Sequence, residues 1–289
     1  MEISNIQFSV IIVSYKNYKV IEECLKSIDK FNDIGEKLEV IIVEQSESKE
    51  MLDKIKNIKT NTKVSVYEHE NKGFGSGNNF GFSKSHGTYL LFLNPDTILV
   101  EPIFQFAINK LSDNQIGLFG VHLTDREGKD NLSYNEKINF GAKHLIANRI
   151  FKNRVFNGKT MYPNGADLFV RTNVFSECGK FDENIFMYGE ETDVSNRILE
   201  KGYTVCYFSE KRIIHLEGQS TNSSGVYNKL CDSFIYVSKK FNVNYKKYFY
   251  SEWAYYRLKL IFHLYKNQAE KEILIERSII LKSKMNGKK

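Results

Sequence analysis

The chain has 289 residues, 42% hydrophobic and 26% charged, which supports a sizeable folded core and excludes disorder as a general description. Its net charge of +6 is uneven: residues 239–289 carry 13 Lys/Arg against 4 Asp/Glu, leaving a mildly acidic body and a basic tail that suits a polyanionic neighbour, lipid or nucleic acid. No apolar stretch approaches the roughly 18 residues of a membrane span, the first residues lack a signal-peptide pattern, and Cys24, Cys178, Cys206 and Cys231 form no C-x-x-C pair, so buried thiols in a reducing, cytoplasmic compartment are expected.

Residues 8–14 are a short apolar, β-branched run, the pattern of a strand covered on both faces. A helix is expected over 20–31, with Ile21, Leu25 and Ile28 on one side. Further strands are expected at 38–43, 64–67 and 89–93, the last halted by Pro95, and at 116–121. This alternation predicts an α/β fold with a mainly parallel sheet flanked by helices. Past residue 130 the rhythm changes. Residues 132–163 read as irregular, 166–170 as a strand, 192–200 as a helix, 204–208 and 213–216 as strands, and the chain from Val226 onward as helical.

In doubly wound sheets ligands sit beyond the carboxyl ends of the strands, which directs attention to the residues just after each apolar run. Ser14-Tyr15-Lys16-Asn17 follows the first strand. Tyr15 there could stack on a nucleobase or simply open the next helix. Glu44 follows the second and could accept a hydrogen bond from a base or ribose, or sit in a solvated loop. Gly73-Phe74-Gly75-Ser76-Gly77-Asn78-Asn79 follows the third; its glycines would let backbone approach a phosphate, although the spacing is neither G-x-G-x-x-G nor a P-loop. Asn94-Pro95-Asp96 follows the fourth, where oxygens held by a rigid turn could bind Mg2+ or Mn2+ together with donor phosphates. Later, Glu190, Glu191 and Asp193 open a helix, where they could serve its dipole or supply a general base. His215 stands just after the last strand.

In order, these segments resemble the family 2 glycosyltransferases, in particular the rhamnosyltransferase-like branch. The matching blocks are Val13 to Asn17, Glu44-Gln45-Ser46, Asn71 to Gly81, Leu93-Asn94-Pro95-Asp96-Thr97, Gly165-Ala166-Asp167, Gly179 to Asp193 and His215 to Ser220, across roughly residues 8–220. The resemblance implies a GT-A fold in residues 1–222, with a nucleotide-sugar half over about 1–125 and an acceptor half over about 126–222. Residues 223–289 then form a helical, basic and aromatic extension. It further implies that Ser14, Tyr15, Asn17, Glu44, Gly73, Phe74, Gly75, Asn78, Asn79, Asn94 and Asp96 bind the nucleotide sugar. Asp96, Asn94 and His215 would hold Mg2+ or Mn2+. Glu191 would be the base, ordered by Glu190 and Asp193, and Asp167 and Tyr188 would meet the acceptor. Three positions depart from the family pattern: Glu44 stands for Asp, Glu191 for the second residue of a Glu-Asp pair, and Asn94 for the first acid of a D-x-D.

The reaction so implied is inverting transfer from a nucleotide-diphosphate sugar, dTDP-rhamnose or a UDP-hexose, to a glycan or lipid-linked glycan in surface polysaccharide synthesis. Two rivals stand beside it. A sugar nucleotidyltransferase would carry a Gly- and Arg-rich loop directly after the first strand, where this chain has Ser-Tyr-Lys-Asn; against a GT-A-like binding protein without activity stand the carboxylates at 96, 190, 191 and 193, while Glu for Asp at 191 leaves that reading open. The tail interleaves Lys and Arg with Trp253, Tyr255, Tyr256, Phe262 and Tyr265, and admits two readings: a helix on the inner membrane surface, or one packed on the domain. No nucleic-acid-recognition fold is legible, and the oligomeric state is left open.

Overall fold

The structure is a computed structural model describing residues 6–16, 18–137, 155–216 and 224–287. The chain divides into two compact units: Met1–Asn135, Phe156–Phe186 and Glu190–Glu217 form the first, and Glu136–Val155, Met187–Gly189 and Gly218–Lys289 the second. Where the sequence suggested one boundary near residue 222, the division is interleaved.

In the first unit, β1 (Phe8–Ser14) and β2 (Leu38–Glu44) are buried along their whole length and pair in parallel from Phe8↔Leu38 to Ser14↔Glu44. A strand with helices on both faces has no solvent side, hence the unbroken apolar run. With β3 (Lys63–Glu68), β4 (Tyr89–Leu93), β5 (Thr97–Leu99), β6 (Ile116–Thr124), β9 (Asp167–Arg171) and β10 (Thr204–His215) they form an eight-stranded sheet of order β3-β2-β1-β4-β9-β6-β10-β5. Only β9 and β5 run against the rest, so the carboxyl ends of β1, β2 and β4 share one rim. A separate two-stranded sheet joins β7 (Tyr134–Glu136) and β8 (Met161–Pro163).

Alternate residues of β1 go to opposite faces, as the strand period requires. Val10 and Ile12 join a core with Phe104, Phe119 and Phe169; Ile11 joins another with Phe92, Phe175 and Phe181. Helix α1 (Tyr18–Lys30) buries Ile21, Cys24, Leu25 and Ile28, the i, i+3, i+4, i+7 stripe of a helix on a sheet. The sequence reading passed over α2 (Lys49–Lys56), whose N-cap Ser48 accepts the Met51 N–H, as well as α4 (Phe104–Leu111) and α5 (Thr172–Glu177). The two strands expected over 204–216 are one, β10, with an irregularity between Phe208 and Arg212 where extra residues interrupt the register with β6.

The second unit contains α7 (Ser224–Lys240), α8 (Tyr245–Ile261) and α9 (Gln268–Met285) around Cys231, Phe249, Tyr256, Leu274 and Leu281. Asn244 and Asn267 cap α8 and α9 by accepting main-chain N–H groups. Among the described residues, no helix is long and apolar enough to cross a membrane.

Candidate active site

Ser14 and Glu44 are register partners at the carboxyl ends of β1 and β2. Both are buried. Glu44 Oε1 accepts the Ser46 N–H at 2.8 Å, while Glu44 Oε2 and Ser14 Oγ have no protein partner among the described residues. Buried polar atoms are ordinarily satisfied, so two adjacent orphans at a strand-end rim mark a place for a ligand's donors and acceptors. Beside them Tyr15 is half exposed, and Lys16, in the left-handed region at φ 55°, donates its N–H to Ser46 Oγ at 2.6 Å. Asn17 lies outside the described residues.

The glycine-rich stretch is mostly helix rather than loop: α3 (Phe74–Ser83) begins immediately after Gly73. Its glycines are explained by packing. A Cβ at Gly77 would come within 2.9 Å of Val13 and Gln45, and one at Gly81 within 2.5 Å of Ile11, so these two residues let α3 lie directly on β1 and β2. On another side, a Cβ at Gly75 would approach Phe181, and one at Gly73 (φ 104°) would collide with the Phe186 carbonyl, which accepts the Phe74 N–H at 3.0 Å. Phe74 packs edge-on against Phe181. Asn78 donates to Phe74 O within the helix. Asn79 clamps the Phe181 main chain, donating to its carbonyl at 2.9 Å and accepting its N–H at 3.1 Å. Phe74, Gly75 and Asn79, expected from the resemblance to bind donor, hold the Phe181–Phe186 segment against α3.

At the end of β4, Asn94 donates its N–H to Ala166 O at 2.9 Å and its carbonyl accepts Thr97 Oγ1 at 2.7 Å. Asp96 takes the Leu216 N–H on its carbonyl, and its Oδ1 lies 3.5 Å from His215 Nε2. His215 is buried and its Nδ1 has no protein partner among the described residues. No group of three or more His, Cys, Asp or Glu side chains among the described residues is arranged to hold a metal. A carboxylate–imidazole pair nevertheless fits an ion that takes its remaining ligands from substrate phosphates and water, as Mg2+ does. Asn94 contributes here through its main chain.

Helix α6 (Glu190–Glu200) carries the acid pair in its first turn. The Glu191 carboxyl group lies directly over Gly165: a Cβ there would stand 2.1 Å from Glu191 Oε1. Gly165 adjoins Ala166, whose carbonyl accepts the Asn94 N–H, so Glu191 is seated beside the segment bonded to the Asn94–Asp96 turn. Burial raises the pKa of the Tyr162 hydroxyl, as do the nearby charges of Glu191 and Glu190, while a hydrogen bond with Thr192 opposes the rise. Glu190 is buried near Gly75. Asp193 Oδ2 accepts the Arg197 Nε–H at 2.9 Å and also Nη2, while Arg197 Nη1 donates to Cys178 O. Asp193 thereby anchors the helix.

Asp167, expected to meet the acceptor, is the register partner of Leu93 at the end of β4. Its side chain is buried, Oδ2 accepting the Val121 N–H at 2.6 Å and Oδ1 having no hydrogen-bond partner among the described residues, and burial drives its pKa well above the usual carboxylate range. Tyr188 belongs to the 187–189 turn of the second unit, at φ 69° ahead of Gly189 at φ 113°. Sequence reasoning missed Tyr162, because it fell in a stretch with no periodic signal, and the seat that Gly165 makes for Glu191.

A family model described as "Glycosyl transferase family 2" matches residues 9–179. Among curated relatives, the minor teichoic acid biosynthesis protein GgaB of Bacillus subtilis is 22% identical over 205 residues, which cover 68% of this chain and 21% of GgaB. The N-acetylglucosaminyl-diphospho-decaprenol L-rhamnosyltransferase of Mycobacterium tuberculosis is 35% identical over 57 residues, covering 20% of this chain and 19% of that protein. The chain thus spans about a fifth of the length of these two relatives. Among solved structures, the mannosyltransferase PcManGT of Pyrobaculum calidifontis, in complex with GDP-Man and Mn2+, superposes with a TM-score of 0.59 at 14% identity, covering 95% of this chain and 69% of that one. At that identity the likeness speaks for the GT-A fold alone.

Proposed function

Because the chain belongs to glycosyl transferase family 2, we propose that it moves a sugar from a nucleotide-diphosphate donor to an acceptor hydroxyl in surface polysaccharide synthesis. The observation that carries this reading is the space that Gly165 leaves for the Glu191 carboxyl group, next to Ala166, whose carbonyl accepts the N–H of Asn94 in the Asn94–Asp96 turn. It supports a reading in which Asp96 serves the phosphate side and Glu191 accepts the proton.

In this reading Ser14 Oγ and Glu44 Oε2, buried without partners among the described residues, take the donors of a base or ribose, and Tyr15 offers its exposed ring to the base. Asp96 and His215 would hold Mg2+ or Mn2+, and the bound ion would offset the negative charge that builds on the leaving group. Glu191 takes the proton from the acceptor hydroxyl as its oxygen bonds to the anomeric carbon. The bond from that carbon to the donor phosphate oxygen breaks, and the nucleoside diphosphate leaves. Attack opposite the leaving group inverts the anomeric centre. Asp193, through Arg197, keeps α6 in place to present Glu191.

The name of the mycobacterial relative supports an L-rhamnosyl donor, and the PcManGT complex supports a nucleotide sugar with Mn2+. The test is nucleoside diphosphate release from dTDP-rhamnose, UDP-hexoses and GDP-mannose with Mn2+ or Mg2+, with and without candidate glycan acceptors. Thermal stabilisation by a donor without any release would replace transfer with a nucleotide-sugar-binding role, and neither stabilisation nor release with any donor would sink the reading.

A further inference from the structure

We propose that the outward side of α8, with the turn that follows it, is a docking surface for an anionic lipid bilayer. Within the second unit, α8 turns Phe249, Glu252 and Tyr256 inward. On the opposite side stand Tyr250, Leu258 and Ile261, in the i, i+8, i+11 spacing of one helical stripe. Ile261 is 60% exposed, and Phe262 and Leu264, just past the helix, are 64% and 61% exposed. Monomeric surfaces rarely group large apolar side chains in this way without a partner.

Charge identifies the occupant. Lys246, Lys247 and Arg257 are exposed on the same side of the helix, and none has a carboxylate partner among the described residues. The one acid of α8, Glu252, is buried. Lys259, also on α8, pairs with Glu270 at 2.7 Å, and Lys284 of α9 pairs with Asp232. The exposed side of α9 sets Ile275 and Ile279 among the acids Glu272 and Glu276, whereas the exposed apolar residues of α8 stand among cations.

A second copy of this chain fits poorly, since a two-fold contact through the stripe would set its cations against their own copies. Nucleic acid would use the cations but leave Leu258, Ile261, Phe262 and Leu264 without a role. An anionic bilayer uses both sets: apolar side chains enter the headgroup–acyl boundary, while Lys and Arg stems reach the phosphates. The inference stands apart from the transferase reading, because an inactive chain would bind vesicles equally.

The test is co-sedimentation of the full chain with vesicles of phosphatidylcholine alone and of phosphatidylcholine mixed with phosphatidylglycerol, at low and high salt. Binding is expected only to the anionic vesicles and to weaken with salt. The variant Lys246→Gln/Lys247→Gln/Arg257→Gln is expected to bind about tenfold or more weakly, and Ile261→Ser/Phe262→Ser/Leu264→Ser to lose comparable affinity, both keeping the parent's melting temperature. The chain's single tryptophan, Trp253 on α8, gives an independent readout through a blue shift of its emission on binding. No sedimentation with anionic vesicles at low salt, or equal binding by both variants, overturns the proposal. So does a dimer that the serine variant abolishes, or tighter binding to single-stranded nucleic acid than to vesicles.

Discussion

Asp96 and Glu191 are each partly open to solvent rather than part of the packed core. Replacing either by Ala is expected to lower transfer by about 10²-fold or more, while far-ultraviolet dichroism and melting temperature stay at parent values; near-normal turnover in either variant removes its assigned role. Gly165 gives a sharper test, since its missing Cβ is the space the Glu191 carboxyl group occupies. Gly165→Ala pushes aside the end of a flexible side chain, so little stability is lost, but a displacement near 1 Å at the base is expected to lower kcat by on the order of 10² with KM for the donor little changed. Asp167 is a question of stability. Its folded-state pKa is raised by burial, so its neutral form is favoured in the fold. Its contribution is fully present below the unfolded carboxylate range and declines as pH rises from there toward the folded pKa, by at most about 1.4 kcal/mol per pH unit. Asp167→Asn stays neutral and still accepts the Val121 N–H, so its stability relative to the parent is expected to increase from pH 5 to pH 8 in denaturant melts.

At the scale of elements, α3 depends on small residues at fixed spacing. Gly77 and Gly81 are one turn apart and both touch the sheet, whereas the added Cβ at Gly128 or Gly202 would meet nothing within 4 Å. Gly81→Ala is expected to cost about 1–3 kcal/mol by forcing α3 off Ile11 and Val43. Calorimetry would show it, and a loss no larger than that of an exposed helical substitution would contradict this packing account. The same geometry explains how one motif came to carry two meanings. The G-F-G-x-G-N-N run reads from sequence as a loop that cradles phosphate, yet its glycines admit a helix and its second asparagine fastens the Phe181 main chain. Sequence spacing records that small residues are required. It does not record which neighbour requires them.

For the whole molecule, the candidate site draws on segments far apart in the chain: residues 14, 44, 96, 165, 191 and 215 all lie in the first unit. If Asp96 and His215 hold a divalent ion on the diphosphate, chelation by EDTA is expected to abolish donor turnover and added Mn2+ or Mg2+ to restore it; turnover that persists after exhaustive chelation refutes the metal reading.

The sequence by itself determined the fold class and the strand ends to inspect, because apolar runs and their breaks are local and a parallel sheet buried on both faces writes them plainly. It also determined the acids opening α6, which stand in one continuous block. The tertiary structure alone decided which of these residues have partners. Among the described residues Ser14 Oγ, Glu44 Oε2 and Asp167 Oδ1 have no partner, Asp193 pairs with Arg197, and Gly165 leaves the space that the Glu191 carboxyl group occupies. The reason is physical: propensity and periodicity depend on neighbours in the chain, whereas hydrogen-bond satisfaction and burial depend on neighbours in space.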